Sequence, residues 1–214
     1  KHFVDGIIIL GSYGDLSWTK AFGELPIARI GHGEHKNLKL SISVDELDAM
    51  QKIFRYINQG LKKRSVAFAM RGLPAHKLRC DCAQKTAPQF GCELEILSMP
   101  NAEKDFACGS DIARGLLQSG KPLPEVVVCA TDMIAMGLIK KLYENNVKVP
   151  DDIAVIGFDD IPEASNYIPS ITSFRQPMKA FAKKCFDAVV TENSPAEGVK
   201  LLEGELLIRK STLL

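Results

Sequence analysis

Apolar positions along this chain recur with two periods, and the periods take turns. An apolar run from Val4 to Leu10, dense over Ile7 to Leu10, stops at Gly11 and predicts a strand buried on both faces. Pro26 to Ile30 is a shorter run ended by Gly31 and Gly33, and Lys39 to Val44 alternates as a third strand. Asp45 stands where a helix N-cap belongs. Leu47, Met50, Ile53, Phe54 and Ile57 share one face of the helix, which is predicted to reach Gly60 as its C-cap glycine. Ser65 to Met70 predicts a strand, with Gly72 and Pro74 as turn residues, and a helix through Arg79 ends between Pro88 and Gly91. Strands at Glu93 to Leu97, Val126 to Cys129, Ile153 to Gly157 and Ile171 to Phe174 follow. Helices interleave with them from Lys104 to Ser119, from Thr131 as cap to about Asn145, and from Met178 to Val190. Asn193 to Gly198 reads as loop and Glu205 to Arg209 as a last strand.

Strand and helix alternating through short loops imply an α/β fold, a parallel sheet with helices on both faces. In such sheets ligands gather at the carboxyl ends of the strands. The loops there hold Ser12-Tyr13, His32, Arg71 to His76, Thr131-Asp132 and Asp159-Asp160.

The charge balance narrows the function. Lys and Arg number 27 and Asp and Glu 26 in 214 residues, a formal net charge of +1. That leaves no basic footprint for a nucleic-acid backbone, so contact with DNA has to come from outside this sequence. No apolar run reaches the roughly 20 residues of a membrane helix. Lys1 to Gly6 lacks the long apolar core of a secretory signal. The chain is therefore expected in the cytoplasm, with Cys80, Cys82, Cys92, Cys108, Cys129 and Cys185 as free thiols. Cys80 and Cys82 lie two apart on a helix and do not face each other. His32 and His35, beside Glu34, supply too few ligands for a metal and read as solvated loop residues. There is no Gly-x-Ser-x-Gly elbow, phosphate loop or His-Glu-x-x-His. Gly31-His32-Gly33 opens like a dinucleotide loop but has Lys36 where the third glycine falls, and reads as a turn. Neither enzymatic activity nor a cofactor nor a metal is expected.

Spacing alone leaves several side chains ambiguous. Asp159 and Asp160 follow the strand ending at Phe158. Such a pair can serve acid–base chemistry, accept hydrogen bonds from the hydroxyls of a neutral ligand, or cap the turn at Ile161-Pro162. Neighbours on an extended segment point to opposite sides, which favours Asp159 as a ligand contact and Asp160 as a turn or cap residue. Arg79 is either a forked donor to ligand oxygens or an exposed arginine, and spacing favours the second. Phe106 either stacks on a ligand or fills the core, and spacing favours the core. Lys62-Lys63-Arg64 and Lys140-Lys141 suit helix ends, where cations favour the dipole.

Four segments in order carry a family resemblance. Val127-Val-Cys-Ala-Thr-Asp-Met-Ile-Ala-Met-Gly-Leu138 is followed by Val147-Lys-Val-Pro-Asp-Asp-Ile-Ala-Val-Ile-Gly-Phe-Asp-Asp-Ile-Pro162. Then come Tyr167-Ile-Pro-Ser-Ile-Thr-Ser-Phe-Arg-Gln-Pro177 and Leu207-Ile-Arg-Lys-Ser-Thr212. The series resembles the C-terminal half of LacI/GalR transcription regulators. The family pattern reads Ala-Asn-Asp-x-Met-Ala-x-Gly, Val-Pro-x-Asp-(Ile/Val)-x-Val-x-Gly-(Phe/Tyr)-Asp-Asp, Pro-x-Leu-Thr-Thr-x-x-Gln and Arg-x-Ser-Thr. Val4 to Ser12 also resembles a strand of the family's N-terminal subdomain.

The resemblance implies a type I periplasmic-binding-protein-like fold: two doubly wound parallel-sheet subdomains, joined by three crossovers, with a ligand cleft. Residues 1–44 and 177–203 would form an incomplete N-terminal subdomain, and residues 45–176 and 204–214 the C-terminal one. By the same resemblance Arg79 and Asp159 match positions that grip ligand hydroxyls, and Phe106 matches an aromatic that stacks on a sugar. Ser12, Tyr13, Thr131 and Met178 complete the expected effector-binding set. Three positions depart from the pattern. Thr131 replaces the usual Asn, Cys82 replaces a Gly, and Gly31 stands where a polar group is often contributed. They leave the identity of the ligand open.

On this reading the chain is the effector-binding domain of a bacterial transcription regulator, with a small sugar-like effector. The family's helix-turn-helix and first strands find no match in this sequence. Residues upstream of Lys1 are therefore expected, and operator DNA would be bound through that absent domain. A homodimer is expected, because relatives read two-fold symmetric operators, and no membrane partner is. The alternative is an extracytoplasmic sugar-binding protein of a transport system, which shares the fold. The ending Arg209-Lys-Ser-Thr212 and the free thiols favour the regulator, and an enzyme ranks last.

Overall fold

Continuous apolar runs in the sequence become parallel strands covered on both faces. The computed structural model describes residues 4–11, 15–191 and 198–213. It divides into a smaller unit, Lys1–Asp45 with Pro177–Glu203, and a larger one, Glu46–Gln176 with Gly204–Leu214. The smaller unit begins with β1 (Ile7–Leu10), β2 (Ile27–Ile30) and β3 (Leu40–Val44). The larger unit follows with α1 (Glu46–Arg55), β4 (Ser65–Met70), α2 (Pro74–Thr86), β5 (Glu93–Ser98), α3 (Asp105–Gln118) and β6 (Val126–Cys129). It continues through α4 (Asp132–Tyr143), β7 (Ala154–Asp159), α5 (Pro162–Asn166) and β8 (Thr172–Arg175). The chain then supplies α6 (Met178–Val190) and β9 (Gly198–Leu202) to the smaller unit and β10 (Glu205–Leu207) to the larger.

In the smaller unit the sheet runs β1-β2-β3-β9, all parallel. Ile27, Ala28, Leu40 and Ile42 are buried in its two middle strands, and α6 turns Phe181, Cys185 and Ala188 inward. In the larger unit the order is β10-β8-β7-β6-β4-β5, parallel except where β10 meets β8. β6 is buried along its whole length, as its Val-Val-Val-Cys sequence requires. Thr131 caps α4 as expected, its hydroxyl oxygen accepting from the Ile134 N–H at 3.3 Å. Phe158 and Phe174 stack with centroids 5.0 Å apart in the core.

α3 and α4 meet backbone to backbone, and two glycines make this possible. A Cβ on Gly109 would lie 2.0 Å from the Ile134 carbonyl oxygen, and one on Gly137 would lie 2.0 Å from that of Phe106. Ser110 seals the crossing, its hydroxyl within 3.2 Å of the Phe106 carbonyl and 3.1 Å of the Gly137 carbonyl. This crossing holds the first turn of α3, with Asp105 and Phe106, against α4.

Several expectations change. The helix after Asp45 keeps α-geometry only to Arg55 and continues as a π-turn over Tyr56–Gly60. Leu47, in the first turn of the helix, is 42% exposed instead of core-facing. The left-handed residue beyond is Lys62 (φ 58°), and Gly60 instead leaves room for the Tyr56 ring, 2.7 Å from where its Cβ would be. The last strand stops at Leu207, not Arg209, and is antiparallel. The 3-10 turn Ser17–Phe22, α5 and β9 have no periodic signal. β9 is a strand because β3 offers it a ladder from Leu40 to Val44. Of the loop expected over Asn193 to Gly198, the part before Gly198 lies outside the described residues. Among the described residues, no helix is long and apolar enough to cross a membrane.

Gly137→Ala and Gly109→Ala are each expected to lower the unfolding free energy by about 2–3 kcal/mol, because an added methyl must push two helix backbones apart. Urea denaturation followed by circular dichroism checks this, and Ser110→Ala should cost only about 1 kcal/mol.

Candidate functional site

The carboxyl ends of β4, β6 and β7 converge with the starts of α1, α2 and α3. Each element brings a polar group there for a local reason. Arg79 enters on the second turn of α2, whose start is set by Pro74 at the first helical position. It is 6% exposed, so the exposed-arginine reading from spacing fails. Its guanidinium lies 3.8 Å above the Phe158 ring. Nε is 3.2 and 3.3 Å from the two oxygens of buried Glu46, and Nη1 donates to the Ala130 carbonyl at 2.5 Å. Nη2 faces Asp159 Oδ1 at 3.8 Å, too far for a direct hydrogen bond.

Asp159 ends β7 with φ 107°, and Asp160 follows with φ 53°. Both are in left-handed backbone that non-glycine residues seldom adopt. The Asp159 Oδ1 accepts from Gln176 Nε2 at 2.7 Å. Burial pushes the Asp159 carboxyl above its usual range, with Arg79 pulling the other way. Asp160 is indeed a turn residue, but it is also an ion-pair centre: Arg175 Nε lies at 2.6 Å and Arg209 Nη2 at 2.5 Å.

A second cluster surrounds Asp105, the first residue of α3. Its Oδ2 accepts from the Thr131 hydroxyl at 3.0 Å, and its Oδ1 lies 3.2 Å from Arg71 Nη1. His76 Nε2 is 3.9 Å from Oδ2, while His76 Nδ1 accepts from the Arg71 N–H at 3.2 Å. Nδ1 is thus the acceptor and Nε2 carries the proton. Burial pushes the His76 imidazolium pKa down to about 4, against the attraction of Asp105.

The structure brings Arg79, Asp159 and Thr131 to one end of the larger sheet, with Phe106 half-buried beside Asp105 on the first turn of α3. Both roles of the Thr131 hydroxyl are internal, one to Asp105 and one to α4. Met178 belongs to the smaller unit and is 49% exposed at the start of α6. Ser12 and Tyr13 lie outside the described residues. Sequence reasoning missed Glu46, Asp105 and Gln176. Asp105 lies in the first turn of a helix that was placed and Gln176 just after a strand that was placed, whereas Glu46 comes from a helix preceding β4 and carried no signal. Among the described residues, no cluster of three His, Cys, Asp or Glu side chains is placed to hold a metal.

His76 gives a pH signature. Its folded pKa, about 4, lies below its unfolded value near 6.5, so the unfolded chain takes up the proton first and stability falls as pH drops from 6.5 towards 4. Between pH 7.5 and pH 5 the wild type should lose about 2 kcal/mol relative to His76→Gln, read as converging urea midpoints. Arg79→Met should cost about 3–5 kcal/mol by removing the guanidinium that compensates buried Glu46, and pairing it with Glu46→Leu should recover most of that loss.

Comparison with known proteins adds the family. Residues 56–212 match the family model described as periplasmic binding protein-like domain. The transcriptional repressor CytR of Escherichia coli K12 is 25% identical over 217 residues, 98% of this chain and 63% of that protein. The transcriptional repressor PurR of Vibrio parahaemolyticus is 34% identical over 113 residues, 51% of this chain and 34% of that protein. The chain thus spans less than two thirds of the length of these relatives. The crystal structure of a LacI family regulator from Arthrobacter sp. FB24, in complex with lactose, superposes with a TM-score of 0.82 at 21% identity, covering 99% of this chain and 80% of that one. At that identity the likeness speaks for the fold.

Proposed function

The chain belongs to the periplasmic binding protein-like domain family in its LacI/GalR regulator form, and on that premise we propose that its larger unit binds a small sugar or sugar-like effector at the Arg79–Asp159 end of its sheet. One observation carries this reading. Arg79 Nη2 and Asp159 Oδ1 face each other at 3.8 Å, a donor and an acceptor that do not satisfy each other directly. A hydroxyl is at once a donor and an acceptor and can bridge such a pair. Glu46 and Ala130 anchor the rest of the guanidinium, so its free edge is aimed before any ligand arrives. The Asp105–Arg71 pair repeats the donor–acceptor theme beside Phe106, whose ring offers an apolar face for a sugar's C–H side.

In the intact protein, effector binding biases the equilibrium between two states that differ in affinity for operator DNA, through contacts outside these 214 residues. The intact protein acts as a homodimer in the cytoplasm. The relatives CytR and PurR are transcriptional repressors, which supports regulation over catalysis.

Isothermal titration of the intact protein with D-glucose, D-galactose, D-ribose and lactose should show binding of at least one sugar in the micromolar range. Asp159→Asn keeps the shape of the turn and should weaken that binding about 10- to 100-fold, the worth of a hydrogen bond to a charged group. Binding unaltered by Asp159→Asn would place the site elsewhere.

A further inference from the structure

The Asp159–Asp160 turn is held from beneath by a carboxylate that touches none of the groups above. Asp132, the first residue of α4, is 0% exposed. Its Oδ1 accepts from the Ser173 hydroxyl at 2.6 Å, and its Oδ2 from the Ile161 N–H at 2.9 Å. The Ser173 oxygen in turn accepts from the Asp160 N–H at 3.1 Å. One carboxylate therefore fixes two consecutive peptide N–H groups, that of Ile161 directly and that of Asp160 through one hydroxyl.

These are the peptides that follow two residues in left-handed backbone, at φ 107° and φ 53°. Such a conformation persists only where its surroundings over-determine it. The fold makes room for the arrangement: a Cβ on Gly157 would lie 2.0 Å from Asp132 Oδ1, so only glycine at that point of β7 lets the carboxylate sit against the strand.

We propose that Asp132 is a positioning residue for effector recognition, holding the turn after β7 so that Asp159 faces Arg79 and Gln176. It acts on ligand affinity through the backbone and does not contact ligand. The inference rests on the effector reading above and assigns a support to that same site.

The carboxylate also carries a signature that isolates its role. Burial pushes its pKa up to about 7, with Ser173 and the Ile161 N–H pulling it down and Asp159 and Asp160 pushing it further up. Cys129, also near it, has its thiol driven well above its usual range by burial and stays protonated. Asp160 is ion-paired with Arg175 and Arg209. Asp159, in the same turn, is also raised by burial, with Arg79 and Gln176 pulling it down, while Asp132 is the carboxyl pushed to about 7.

The test uses the intact, ¹⁵N-labelled protein, with Asp132→Asn and Ser173→Ala as variants. In the wild type, the Asp160 and Ile161 amide signals should move together with a midpoint near pH 7. In Asp132→Asn that midpoint should vanish, and in Ser173→Ala the Asp160 signal should cease to follow the Ile161 signal. Each variant should raise the Kd for the bound sugar of the four-sugar panel about tenfold or more, while circular dichroism shows the fold kept. Folded variants with unchanged amide signals, or with a Kd within about twofold of wild type, overturn the proposal. Should Asp132→Asn fail to fold, Ser173→Ala decides alone. Should no sugar of the panel bind the wild type, the sugar reading fails separately and the amide signals still decide whether Asp132 holds the turn.

Discussion

The buried guanidinium of Arg79 is the constraint on which the rest of the site depends. A charge at 6% exposure is tolerable only when it is compensated on every side. The compensation comes from four different parts of the larger unit: Glu46 at the head of α1, the Ala130 carbonyl at the end of β6, the Phe158 ring on β7 and Asp159 at its tip. Satisfying one side chain therefore fixes two helices and two strand ends relative to one another. The strong contacts use Nε and Nη1, which leaves Nη2 with the weakest partner and so with the capacity to meet a ligand.

Electrostatics around that anchor follow from burial. Asp159 is pushed up by desolvation and His76 is pushed down to about 4, both towards neutrality. Around Asp105 the pattern is one carboxylate among a hydroxyl, a guanidinium and a neutral imidazole. These alternating donors and acceptors of modest net charge underlie the proposal of a hydroxyl-rich neutral ligand, since a phosphate would want a surplus of donors.

The helix crossing and the buried aspartate play the same part at different distances. Gly109 and Gly137 let α3 and α4 approach until their backbones touch, which sets where Asp105 and Phe106 stand. Gly157 lets Asp132 lie against β7, which sets where Asp159 stands. In both cases an absent Cβ behind the site decides the position of a side chain within it.

By itself the sequence determined the alternation of strand and helix, the parallel central strands and the motif series that identifies the family. These are legible because continuous valine and isoleucine runs must be covered on both faces, and because the Thr131 cap and the glycines are local signals. It also pointed to the strand ends where Arg79, Thr131 and Asp159 meet, because loops converge there in such a topology. Only the tertiary structure decided that Arg79 is buried against Glu46, that Thr131 is spent on Asp105, and that Asp132 holds the turn. The same is true of β9, which is a strand because β3 lies beside it. Local periodicity reports the covering of surfaces, whereas the pairing of buried polar groups depends on which distant residues the fold brings within hydrogen-bond reach, and no spacing along the chain encodes that.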